Sequence, residues 1–229
     1  KEWTEYHRSL KRDKAADNLS PVERKKKLEK LEANVIEWIL FFFSEFAKYP
    51  FTKFHKKAIK RITTNMEWYE VLSWSRELAK STIVFMCMMY LVLTGKKKNV
   101  LLISNSHENA VRLLEPYKKA FESNSMLKAY YGDLREFGSW TADEFTLTTG
   151  ATFRAIGALE SPRGTRKDAV RPDTALVDDF DTDADCRNPD ILKKKWEWFE
   201  EALFPTRSIS EDLLVIFCGN LIALDCCVK

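Results

Sequence analysis

An apolar run, Tyr69 to Trp74, empties into the polar stretch Ser75-Arg76-Glu77-Leu78-Ala79, and Lys80-Ser81-Thr82 then opens an apolar helical pattern over Ile83 to Leu93. Strand, short loop, Lys-Ser, helix is the layout in which backbone N–H groups and a helix N-terminus cradle a phosphate. In that layout Lys80 reaches the terminal phosphates and the Ser81 hydroxyl holds Mg²⁺. The consensus G-x-x-x-x-G-K-[ST] asks for glycine at both ends of the turn, where this chain has Ser75 and Ala79. Taken alone, the stretch therefore reads better as a capped core helix.

A second half stands downstream. Ala175-Leu176-Val177 is a short apolar strand ending in Asp178 and Asp179. Adjacent carboxylates there suit a nucleotide hydrolase, one holding Mg²⁺ and its neighbour activating water. Asp178 is read as the metal ligand. Asp179 is read as the base, with Asp181 as a rival.

At 229 residues, 45% hydrophobic and 31% charged, the chain can bury one sizeable core, and one domain is the default expectation, with room for a helical appendage. The net charge of +3 makes no claim for nucleic acid by itself. The Lys11–Lys30 and Lys193–Lys195 runs read as solvated helix faces. Five cysteines without a C-x-x-C pair argue against structural zinc and suit a reducing compartment. No secretory signal is read, and the most apolar windows, Ile36–Phe43 and Thr82–Leu93, are too short to span a bilayer.

The remaining chain reads as follows. Ser20-Pro21 caps a helix that turns apolar over Val35–Phe46 and breaks at Pro50. Thr52–Ile62 reads as an amphipathic helix with Phe54, Ala58 and Ile62 on one face. Val100–Ser104 reads as a strand, Glu108–Phe121 as a helix, and Glu144–Leu147 with Ala151–Ile156 as a hairpin. Ser161–Pro172 is an arginine-rich loop, Ile191–Phe204 a helix striped by Leu192, Trp196, Phe199 and Leu203, and Leu213–Phe217 a last strand ending in Cys218-Gly219-Asn220. Strands alternating with helices predict an α/β fold with a mainly parallel sheet, and ligands then bind outside the strands' carboxyl ends.

In this order the blocks resemble the ATPase domain of tailed-bacteriophage terminase large subunits, the motors that pump DNA into procapsids. Residues 75–82 are similar to the family's divergent phosphate loop. Arg163-Gly164-Thr165-Arg166 followed by Arg171-Pro172-Asp173 and Val177-Asp178-Asp179 looks like its arginine-glycine loop and acidic strand. Phe217-Cys218-Gly219-Asn220 resembles its coupling motif, and Phe54-His55 sits near its adenine motif. The pair is equally readable as core Phe54 and surface His55.

The resemblance implies a RecA-like P-loop NTPase core (the ASCE type) over 51–229, an extra strand between the two nucleotide motifs, and an N-terminal helical extension over 1–50. It implies ATP and Mg²⁺ as cofactors, and double-stranded DNA, a portal protein and a terminase small subunit as partners. It further implies assembly into a homo-oligomeric ring and action in the cytoplasm of an infected bacterial host. Arg76 would stabilise transferring phosphate in cis, or Arg163 would do so in a neighbour's site. The departures are Ala79 for glycine, aspartate for the usual glutamate base, and His55 for an amide; the nuclease domain of full-length terminases has no counterpart here. Another translocase or helicase, or a non-catalytic module binding portal or DNA, are the competing readings.

Overall fold

The computed structural model describes residues 19–47, 50–162, 171–207, 212–223 and 226–227. Among these residues the first two helices are α1 (Pro21–Glu32) and α2 (Val35–Phe42). Ser20 begins α1 with a capping box, its side chain accepting from the Glu23 amide while Glu23 reaches back to the Ser20 amide. Trp38, Ile39 and Phe42 of α2 are fully or almost fully buried, in one apolar cluster with the helix that follows residue 79.

Next come α3 (Lys53–Thr64), β1 (Trp68–Leu72), α4 (Lys80–Leu93), β2 (Asn99–Ser104), α5 (His107–Ser123) and α6 (Ser125–Tyr131). Three strands follow, β3 (Arg135–Trp140), β4 (Glu144–Leu147) and β5 (Thr152–Gly157), then β6 (Thr174–Asp178), α7 (Pro189–Glu197) and β7 (Leu214–Cys218). After α7 the chain continues through a π turn, Trp198–Leu203, and a 3₁₀ turn, Phe204–Thr206.

The seven strands form one sheet in the order β1-β7-β6-β2-β5-β4-β3. Pairs β1·β7, β7·β6, β6·β2 and β2·β5 are parallel, whereas β5·β4 and β4·β3 are antiparallel. The architecture is α/β, a mostly parallel mixed sheet flanked by helices. Buried parallel strands read as unbroken apolar runs, as β2, with all six residues buried, and β7 do. The one strand absent from the sequence reading, β3, is Arg-Glu-Phe-Gly-Ser-Trp, largely exposed at the sheet's edge. Its polar and glycine residues give no period-2 apolar signal. The expected Tyr69–Trp74 strand instead ends at Leu72, because Ser73 and Trp74 already turn toward the loop.

Lys97 fixes the opposite, amino ends of the parallel strands. Only 2% exposed, it donates from Nζ to the carbonyls of Met66 (2.9 Å), Asp173 (3.0 Å) and Asp212 (2.9 Å). Those residues precede β1, β6 and β7, and Lys97 itself precedes β2. One ammonium thus ties the entries of four neighbouring strands. Lys97→Met is expected to strand three carbonyls and to destabilise the protein by about 3 kcal/mol. At about 2–4 °C per kcal/mol for a chain this long, a melting scan should show Tm lower by roughly 6–12 °C; an unchanged Tm would mean that water replaces the ammonium freely.

The Lys193–Lys195 run is only partly a solvated face. Lys193 and Lys194 are exposed, but Lys195 is 4% exposed and donates to the Phe180 carbonyl (2.5 Å) and to Asp185 Oδ2 (2.6 Å). Its helix position faces the loop that leaves β6, where the buried ammonium finds two oxygen acceptors.

Candidate nucleotide site

Register puts the candidate residues at one edge. Leu72, Cys218 and Asp178 are cross-strand partners at the carboxyl ends of β1, β7 and β6, and the Gly219 amide extends the ladder to the Leu72 carbonyl at 3.2 Å. The chain leaves those three ends as 73–79, as Gly219-Asn220 and as Asp179. Strand order therefore sets the loop, the amide and the carboxylates side by side.

The loop enters α4 by an unusual route. Ala79, at the helix N-cap, has φ 59° and ψ 29°, and Glu77 has φ 69°; both are left-handed. Ala79 thus adopts the conformation that the consensus glycine supplies without steric cost. The first backbone bond of the helix runs from the Ile83 amide to the Ala79 carbonyl at 2.9 Å. The amides of 80–82 consequently have no intrahelical partner and face outward at the positive end of the helix dipole. Since a left-handed L-residue costs about 1–2 kcal/mol, Ala79→Gly is expected to stabilise the protein by about 0.5–1 kcal/mol after the added freedom of the unfolded chain. A Tm rise of roughly 1–4 °C checks this; a fall would show that the alanine methyl makes a contact worth more than the strain.

Lys80 is buried and folded back beneath the loop. Its Nζ donates to the carbonyls of Trp74 (2.5 Å) and Ser75 (3.5 Å) and to Asn220 Oδ1 (2.8 Å), an amide 140 residues away in the chain. The Ser81 hydroxyl donates to Asp178 Oδ2 at 2.6 Å. Lys80 and Asn220, and Ser81 and Asp178, are therefore brought together at the start of α4.

Burial pushes the Asp178 carboxyl up to about 6, with the neighbouring Asp179 adding to the rise, while the Ser81 hydrogen bond and the nearby Lys80 act against it. Asp179, exposed, takes φ 46° directly after the strand, and its carbonyl accepts from the Asn105 amide at 3.3 Å. Asp181 turns elsewhere, its Oδ2 accepting from the Cys227 amide at 2.6 Å. Of the two candidates for the base, Asp179 lines the cleft described next and Asp181 does not.

That cleft has a volume of 370 Å³ and opens in front of the carboxylates. Ser81, Thr82, Asp178 and Asp179 line it together with Asn105, Asn109 and Arg112. Asn109 Nδ2 donates to Asn105 Oδ1 at 2.7 Å, and Arg112 is paired with Asn109 and Glu108. Sequence reasoning missed these three side chains. Asn105 directly follows the β2 carboxyl end, as Asn220 follows that of β7, and that shared position was the available signal.

Phe54 departs from its expected place. It is 40% exposed and does not join buried Ala58 and Ile62; its ring lies 4.1 Å from His55 and 4.9 Å, edge on, from Trp74. His55 Nε2 is 3.1 Å from the Leu78 carbonyl. The first turn of α3 thus lies over the loop rather than over the sheet. Trp74, read from sequence as a strand end, joins this aromatic group and also supplies a carbonyl to Lys80.

Arg76, like Ser75 and Leu78, is exposed on the loop. Arg163 lies outside the described residues, as do Gly164, Thr165 and Arg166. Arg171 is exposed, its Nη1 3.5 Å from the Arg207 carbonyl. No family model matches this sequence, and no curated protein matches it. Among the described residues no group of three or more His, Cys, Asp or Glu side chains is arranged to hold a metal, and no helix is long and apolar enough to cross a membrane.

Proposed function

We propose that the chain is the ATP-hydrolysing motor domain of a viral terminase large subunit, driving double-stranded DNA into procapsids. The observation that carries the reading is the meeting of Lys80, Ser81, Asp178 and Asn220 at the carboxyl ends of three adjacent parallel strands. The strand order supports a RecA-like core, because β7 lies between the strand before the loop and the strand before the carboxylates. The Phe54-His55-Trp74 cluster beside the loop supports an adenine-binding role for that pair.

The donor set fits magnesium and nucleotide. A serine hydroxyl and a carboxylate are the hard oxygen ligands that Mg²⁺ takes, usually one or two from protein and the rest from phosphates and water. A carboxyl raised to about 6 beside a second carboxylate is one that an added cation would stabilise in its charged form. Magnesium-bound ATP would supply that cation and the transferable phosphoryl group.

In this reading Lys80 gives up part of its carbonyl contacts to hold phosphate oxygens, and the amides of 80–82, which have no intrahelical partner, bind the same anion. Ser81 and Asp178 hold the metal, and Asp179 orients and deprotonates water in the cleft. Arg76, in cis, or Arg163, from a neighbour in a homo-oligomeric ring, offsets transition-state charge. Portal protein and terminase small subunit are the protein partners, and the host cytoplasm is the setting. Steady-state phosphate release with Mg²⁺ and ATP, with and without chelator and duplex DNA, tests the reading. Release that requires the metal supports it. No release above buffer, with the fold intact by circular dichroism, would sink the ATPase and leave a binding module.

A further inference from the structure

Helix α3 carries Lys53, Lys56, Lys57 and Lys60, all exposed, and no acidic residue anywhere in its twelve positions. At 100° per residue the four lysines fall within about 100° of arc, opposite buried Ala58, Ile59 and Ile62, and at 1.5 Å per residue they span roughly 10 Å. Other exposed helices neutralise part of their own charge: Arg112 pairs with Glu108, Lys119 with Glu115 and Lys193 with Glu197. On α3 only Arg61, off the stripe, is paired, and its partner Glu70 also accepts from Trp68 Nε1. None of the four lysines has an acidic partner among the described residues.

We infer that this stripe is a docking surface for the phosphate backbone of a nucleic-acid duplex. Duplex DNA carries one negative charge per about 1.7 Å of axis, so the stripe faces about six charges over its length. Protein interfaces are depleted in lysine and enriched in aromatic residues at their centres, whereas backbone phosphate contacts need point charges and no shape code. Lysine alone, without an aromatic on that face, matches the second. The stripe lies on the helix whose first turn holds the loop through His55 and Phe54, so that an anion seated there adjoins the candidate nucleotide site. The stripe's own chemistry calls for a polyanion; the choice of a duplex as that polyanion rests on the proposed function.

The test is fluorescence anisotropy of a short labelled duplex of mixed sequence, titrated without nucleotide across roughly 50–200 mM salt. The variant is Lys53→Gln, Lys56→Gln, Lys57→Gln and Lys60→Gln together, with circular dichroism to check the fold; the control is Lys25→Gln, Lys26→Gln and Lys30→Gln on α1. At about 0.9 per contact, the slope of log affinity against log salt should be shallower by about 3–4 in the variant. The corresponding salt-dependent loss of affinity, about 100-fold over that range, should vanish with it. The control should keep the parental slope. An unchanged slope in the α3 variant, equal losses in variant and control, or displacement of the duplex by poly-glutamate at equal charge concentration would each overturn the inference. Because no nucleotide is present, this result is independent of whether the chain hydrolyses ATP.

Discussion

Lys80→Ala is expected to lower Mg²⁺-dependent phosphate release by about 10²–10³-fold, the loss typical when one preorganised donor to developing charge is removed. The side chain is already placed: its ammonium is buried, with three acceptors fixed by the carboxyl ends of two strands. To meet an anion above the loop it exchanges part of those contacts for phosphate oxygens. Trp74 is half-buried and Ser75 exposed, on a loop rather than in the sheet, so the fold should survive with a Tm within a few degrees of the parent. Asn220→Ala separates parking from catalysis. It removes one acceptor of Lys80 without removing the charge, and should lower release far less than Lys80→Ala does. Equal release by parent and Lys80→Ala would remove Lys80 from the chemistry and, with it, the phosphate-binding reading of 75–82.

Asp178→Asn should move stability and activity in opposite directions. The folded carboxyl sits at about 6 against an ordinary 3.8, chiefly because burial disfavours its charged form. A group whose folded pKa is raised favours the folded state while it is protonated. That contribution is fully present below about 4 and is lost as pH rises to about 6; at pH 7 the ionised Asp178 is a cost to the fold. Asparagine removes the cost. After discounting for water in the open cleft, the gain is roughly 1–2 kcal/mol, or about 2–8 °C in Tm at pH 7, shrinking toward zero near pH 4. Phosphate release should meanwhile fall by about 10²-fold or more, since a neutral amide is a poor ligand for Mg²⁺. Melting curves across pH 4–8, paired with release assays, check both arms. A variant less stable at pH 7 would mean that the charged carboxylate is already compensated within the fold, by Lys80 and Ser81.

Local chemistry was enough to read most elements. Unbroken apolar runs marked β2, β6 and β7 because strands buried on both faces have no polar side to show. The Ser20 cap, the hairpin at 144–157 and the Lys-Ser entry to α4 are short-range features, and each formed where its residues call for it. Asp178 and Asn220 were legible as site candidates because each stands at the end of an apolar strand. Short-range signals failed where packing overrode them. Lys195 looked solvated in its run but is drawn in by Phe180 and Asp185. Phe54 read equally as core and as part of an adenine motif; the core reading fails, because the start of α3 covers the loop. Asn109 and Arg112 belong to a cleft wall that has no local signature, whereas Asn105 stands, like Asn220, just past a strand end.

What the sequence by itself determined is the set of pieces: a strand-loop-Lys-Ser-helix unit, an acidic strand end, an amide strand end and an α/β alternation. What only the tertiary structure decided is their adjacency. The last strand, β7, inserts between β1 and β6, so that Asn220 reaches Lys80 across 140 residues and Ser81 reaches Asp178 across 97. Parallel strands pair through long-range hydrogen bonds, and no turn between neighbours in the chain dictates which strands meet. Strand order is settled by which buried faces fit the shared helices and by the Lys97 tie at the far edge, both of which exist only once the chain is folded.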